Sequence, residues 1–295
     1  MAEATKETTA VAVQETGGLP AYLQDFKGPT GQDFAREDIQ IPQIKIGQGT
    51  SDEVKEGLLD EGDLFLNVDG TILAKAGTPL RLVIVAKDTE YLLWRDRKDQ
   101  TGDRVMARAK RTQMNGPMGP YVKHKWDKPG QTFETKLNGQ LKVQWTTGEY
   151  VEDDGLGEWG SEIPGDADSK IAAQKHFNYV VYLPDHDMVA SLSLSRTATK
   201  PAKSLNTLLM MGGAPIFARV IEATSYTDQR NGDKFANWKF RVPAGGPEAK
   251  FVSAETFAKT SDLFKQFEAE GFAVDHTEAG EAAPGAEGET DEGKF

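Results

Sequence analysis

The stretch NGDKFANWKFRV, residues 231–242, decides the fold class. Ala236, Trp238, Phe240 and Val242 alternate with Asn237, Lys239 and Arg241. A period of two puts one side of a strand on a core and turns the other to solvent or ligand. Asn231-Gly232 just ahead supplies the positive φ angles that a tight hairpin needs. The same punctuation recurs upstream. Asp69-Gly70 separates LFLNV from TILA, and Asn138-Gly139 separates TFETKL from QLKVQW, where Leu141, Val143 and Trp145 alternate with Lys142 and Gln144. Further strands are expected at 80–86, 177–183, 189–194 and 216–224.

Two short helices complete the picture. Residues 201–211 open with proline in the first turn and stop at Gly212-Gly213, with Leu205, Leu208 and Leu209 as the buried stripe. Residues 254–269 follow Ser253 as N-cap and place Phe257, Phe264 and Phe267 on one side. The expected class is therefore mainly β, a β-rich α+β core over about 35–270. An OB-like barrel is the first choice and a β-sandwich the second. Residues 1–30 and 273–295 have the composition of disordered segments.

The chain has 295 residues, no cysteine and a formal net charge of −12. Disulfides, thiolate metal sites and cysteine nucleophiles are thereby excluded. The first residues lack the basic and apolar regions of a signal peptide, and no apolar run is long enough to span a bilayer, so a cytoplasmic protein without membrane contact is expected. The charge is unevenly spread. From 268 to 295 there are nine acids and one lysine, a net of −8, whereas 95–128 holds ten bases and four acids, a net of +6. Such segregation says more about partners than the sum does.

The basic segment, WRDRKDQTGDRVMARAKRTQMNGPMGPYVKHKWDK (94–128), mixes cations with rings. Arg95, Arg97, Lys98, Arg104, Arg108, Lys110, Arg111, Lys123 and Lys125 lie close to Trp94, Tyr121 and Trp126. Cations neutralise phosphates and release counterions, and unpaired bases stack on aromatic faces for roughly 1–3 kcal/mol each. Duplexes hide those faces, so the mixture points to single-stranded DNA. Arg196, Lys200 and Lys203 surround a helix start that carries hydroxyls, a setting able to hold a phosphate. Lys239 and Arg241, on the polar side of their strand, would extend the same groove.

The acidic segment 149–168 carries Glu149, Glu152, Asp153, Asp154, Glu158, Glu162, Asp166 and Asp168. It does not match a calcium loop, and Gly155 and Gly157 suggest a mobile, solvated insertion. No P-loop, dinucleotide fingerprint, zinc-protease helix or nucleophile elbow is present. His124, His176, His186 and His276 show no metal-ligand spacing, with His186 in an expected turn and His176 opening a strand. Neither cofactor, metal nor catalytic residue is expected, and the chain reads as a binding protein rather than an enzyme.

The last residues, TDEGKF, close an acidic tail on Phe295. A ring and terminal carboxylate can enter a basic-edged pocket on a partner while the upstream acids steer the encounter. A β-rich core, a basic-aromatic stretch and this tail together resemble the single-stranded-DNA-binding proteins of bacteria and, more closely, of bacteriophage replication. In those families an OB-type barrel holds the strand and the tail recruits polymerase, helicase or primase. The resemblance implies stoichiometric coating of single strands in replication or recombination, with Asp291, Glu292 and Phe295 as partner contacts. The segment DIQIPQIKIGQGTSDEV (38–54), followed by GDLFL, is also similar to phage early proteins. A homo-oligomer is compatible with this reading. The competing expectations are a viral structural or accessory β-domain and a magnesium-dependent nuclease using the 149–168 carboxylates.

Overall fold

The computed structural model describes residues 41–276, apart from Arg97, Gln100, Pro129, Asn138, Gly139, Pro164, Ala167, Asp168, Asn231 and Asp275. The expected disordered segment 1–30 and, of the expected disordered tail 273–295, residues 277–295 therefore lie outside the described residues, whereas Val274 and His276 are described and buried. The described residues form twelve strands: β1 (Ile44–Ile46), β2 (Leu64–Leu66), β3 (Ile72–Ala74), β4 (Leu80–Trp94), β5 (Val105–Gly116), β6 (Gly119–Trp126), β7 (Thr132–Leu137), β8 (Gln140–Thr146), β9 (Ala173–Leu183), β10 (Met188–Ser195), β11 (Val220–Arg230) and β12 (Asp233–Arg241). Helices are α1 (Asp52–Lys55), α2 (Val151–Asp154), α3 (Thr199–Met210), α4 (Pro247–Lys250) and α5 (Ala254–Glu270). The class is β-rich α+β.

The spine is β4, whose 15 residues span about 50 Å at the usual rise of a strand. One edge of β4 pairs with β9 from Val83 to Leu93. Its other edge is shared. Leu80–Val83 pair with β11, and Tyr91–Trp94 pair with β5. The seven-stranded sheet runs β10-β9-β4-β11-β12, with β5 and β6 branching from the far end of β4. No described pairing joins β10 to β12, so the sheet stays open where an OB-type barrel would close. β1, β2 and β3 form a second sheet, and Ile44, Leu64 and Leu66 share one core with Leu82, Ile84, Val181 and Leu192 of the large sheet. That packing is the sandwich alternative in its local form.

Local chemistry explains the hairpins. Arg230 pairs with Asp233, leaving two residues for the turn, and Gly232 takes φ +95° there. Leu183 pairs with Met188 across PDHD, so His186 does sit in a turn. The side of the large sheet shared with the small sheet also receives α3, through Ala202, Leu205 and Leu209, with Leu208 half-buried. The opposite side is covered by α5, whose Phe267 and Phe264 meet Val83, Val85, Val180 and Tyr182. Ser253 caps α5 by accepting from the Thr256 amide at 3.2 Å. Residues 216–218 form a 3-10 turn rather than strand, because the chain must still climb from α3 before β11 begins at Val220.

A third core lies at the far end of β4. Leu93, Ala107, Ala109, Trp126, Val151, Leu156 and Ala173 form it. The acidic segment is thus a packed element here and not the mobile insertion its glycines suggested. Leu156 and Val151 anchor it, and Asp154 accepts both the Trp126 indole N–H and the Leu156 amide.

Candidate nucleic-acid interface

The basic segment folds into a two-stranded arm. Only Val105, Ala107, Arg108 and Ala109 of β5 pair with β4; from Lys110 to Gly116 the strand pairs with β6 alone. Directly opposed residues share a side of an antiparallel pair, so the register assigns the cations. Arg111 faces His124 on one side, while Lys110 faces Lys125 and Thr112 faces Lys123 on the other. Opposed like charges weaken a ribbon. Lys110 reaches Asp127 only at 4.0 Å, Lys123 pairs with Asp153 at 3.3 Å, and Lys125 has no ion pair among the described residues. Tyr121, 42% exposed, stands on the Lys125 side toward the tip.

The other side of the arm closes one wall of a cleft. Its floor is the surface of β4 and β9, where Lys87 opposes Tyr179, Thr89 opposes Phe177 and Tyr91 opposes Lys175. The cavity measures about 220 Å³ and reaches from Lys87 past Arg111 and His124 to Asn206 of α3. The Lys175 ammonium lies 5.5 Å from the Tyr91 ring centre and 5.3 Å from that of Phe177. His124 meets the Tyr91 ring edge-on at 5.3 Å and bonds to the Thr89 carbonyl. Lys87, Arg111 and Lys175 are exposed and form no ion pair among the described residues. The acid among them is Asp88. Burial pushes its carboxyl above the usual range, against the Thr89 amide, Arg111 and His124, which pull it down. The arrangement suits an anion lying along the sheet with a ring against Tyr91.

Several expected contacts are elsewhere engaged. Trp94 and Trp126 are each 3% exposed. They cannot offer a face to a base, because β6 aims Trp126 into the core at the far end of β4 and Trp94 is buried beside His176. Arg95 is tied into its own loop by Asp99 at 2.8 Å, Thr101 and the Asp103 carbonyl. Hydrogen bonds from Thr101, and then from Arg95, hold the Asp99 carboxyl at about 2. Arg104 donates to the Arg95 carbonyl. Arg108 is drawn onto Glu90 at 3.2 Å. Lys98 is exposed on the 95–104 loop, and Arg97 lies outside the described residues. Arg196 donates to Gln174. Lys200 and Lys203 are exposed on α3, with Lys203 one turn before Asn206. Arg241 pairs with Glu222 at 2.6 Å, and Lys239 is exposed beside it on β12, away from the arm.

Lys87, Tyr91, Lys175 and Phe177 belong to the cleft and were not among the expected contacts. Their signal was the alternation Lys175-x-Phe177-x-Tyr179, which reads equally as a half-buried strand. Among the described residues no three histidines or carboxylates converge on a cation site. No helix among them is long and apolar enough to cross a membrane.

Fold and cleft together define a β-rich α+β protein with a basic arm beside a sheet-floored groove. The chain belongs to the Pam3 phage gp34-like protein family, whose model matches residues 12–270. It is thus a phage-type protein. No curated protein and no solved structure matches the chain.

Proposed function

We propose that this chain is a single-stranded-DNA-binding protein of phage replication or recombination, acting by stoichiometric coverage. The supporting observation is the convergence of Lys87, Arg111 and Lys175, free of ion pairs among the described residues, around half-buried Tyr91 at the root of an arm. The arm adds Lys110, Lys123, Lys125 and Tyr121. Phosphates meet the cations and unpaired bases meet Tyr91 and Tyr121. Asp291, Glu292 and Phe295 recruit the replication partner.

Because the two tryptophans are core residues, the preference for single strands rests on fewer rings than the segment contains. A two-stranded ribbon also fits a duplex major groove, so the ligand must be tested both ways. A labelled single-stranded oligonucleotide and its matching duplex are titrated at two salt concentrations. Tight, salt-sensitive binding of the single strand supports the reading. Duplex preference reassigns the arm to groove insertion, and no binding to either at low salt moves the protein to a structural role in the particle.

A further inference from the structure

On the sheet side opposite the cleft, β4 and β9 carry a buried polar cluster that the arm does not use. Glu90, opposed to His176 and two residues from Leu92, shares that side with Asn178. Its Oε1 accepts from the Asn178 amide and, at 2.7 Å, from Nε2 of His276; its Oε2 lies 3.2 Å from Nε of Arg108. The His276 and His176 rings meet edge-on at 4.6 Å, and the Trp94 ring is 6.1 Å from His176. All these side chains except Arg108 are more than nine-tenths buried. Three of their polar atoms nevertheless have no partner among the described residues: Trp94 Nε1, His176 Nε2 and Asn178 Oδ1.

The two halves of this cluster differ in kind. Glu90, Trp94, His176 and Asn178 stand on paired strands. His276 arrives on a strap that leaves α5 at Gly271, forms no helix or strand among its described residues, and is held by buried Val274 and by its carbonyl's bond from Arg108. The rigid part therefore has more hydrogen-bonding capacity than the imidazole in it uses. Buried polar atoms without partners cost stability and mark places where structure is kept for something else. A carboxylate, an amide, an indole N–H and an imidazole edge gathered in one buried cluster are groups of the kind that read a nucleobase edge and face.

We infer that Glu90, Trp94, His176 and Asn178 form a pocket for a planar N–H heterocycle of nucleobase type, with the chain's own His276 docked in it as a displaceable occupant. Glu90 takes the ring N–H or exocyclic amine, Trp94 Nε1 donates to a ring acceptor, and the His176 ring packs on the base. The pocket lies across the sheet from the cleft, so the inference goes beyond the nucleic-acid reading and is tested with nucleosides, which carry no phosphate for the arm.

The full chain, H276A and H276Q are titrated with guanosine, cytidine and imidazole, and thermal stability is followed. H276A is expected to bind a nucleoside saturably and at least tenfold more tightly than the full chain, with the gain abolished in H276A combined with E90Q. H276Q, whose amide can still donate to Glu90, is expected to stay near the parent. Rescue of H276A by imidazole with no nucleoside response would overturn the pocket and leave a structural cavity. If H276A does not fold, saturation-transfer NMR of guanosine on the full chain decides, and absence of transfer at millimolar nucleoside counts against the proposal.

Discussion

Trp126 lies at the end of the arm with its indole N–H on Asp154 and its ring among Leu93, Ala109 and Val151. Its replacement by alanine is expected to cost about 3–5 kcal/mol of folding stability, read from urea denaturation. A loss under 1 kcal/mol would show that the ring is not core. A second residue sets the acid limb. Burial of Asp63 raises its carboxyl's pKa, but Lys75 at 2.9 Å and the Asp60 and Ala76 amides outweigh burial and hold it below the usual range. A carboxyl depressed in the fold stabilises it above the unfolded value near 3.8 and loses that contribution as pH falls toward the folded value. Asp63→Asn is expected to lower stability at pH 7 and to flatten the decline below pH 4. An unchanged acid limb in the variant would exclude Asp63 as its source. His176 acts in the same direction at higher pH. Burial first, then His276, Arg196 and Arg108, keep its imidazole well below 6.5, so stability is full above that value and is drawn down below it.

At the scale of elements, the end of α3 shows how a side chain and a glycine define a junction. Arg219, buried just before β11, donates to the Leu208 carbonyl at 2.6 Å and so satisfies an end of the helix. A Cβ at Gly212 would lie 1.7 Å from the Arg219 guanidinium and 2.7 Å from its Cδ. Gly212→Ala is expected to expel that side chain and to cost about 1–3 kcal/mol, measured by thermal or urea unfolding; a neutral outcome would mean that Arg219 has another seat. The arm and cleft carry the binding prediction. Replacing Lys87, Arg111 and Lys175 together with alanine removes three phosphate contacts, so the slope of log affinity against log salt should fall by about 2 for a single strand. All three side chains are exposed, so the fold should stay intact. An unchanged slope would move the interface away from the cleft.

For the whole molecule, charge separation is the governing feature. Removing 277–295 takes away six acids and one lysine and brings the formal charge from −12 to −7. Less repulsion of the polyanion should raise the association rate for single-stranded DNA severalfold at low ionic strength, an effect that fades as salt shortens the Debye length to about 8 Å. Stopped-flow association at two salt concentrations reads this directly. A gain of equal size at both would point away from long-range electrostatics.

The amino-acid pattern by itself determined whatever depends on a few neighbouring residues. The hairpins that close at the pairs Arg230–Asp233 and Leu137–Gln140 fall where the sequence carries Asn-Gly, and α5 begins where Ser253 can cap it. Its long-range order was less legible. A short apolar run marks 80–86 as strand, but only the tertiary structure extends β4 to Trp94, because the far half gains its partners from β9 and β5. Basic residues and tryptophans crowd one segment, yet burial at the β4–β5 junction turns the rings inward and leaves the lysines out. The cleft joins Lys87, Arg111 and Lys175 across three strands, and Glu90 meets His276 across 186 residues. Such meetings are products of register and packing, which no local spacing encodes.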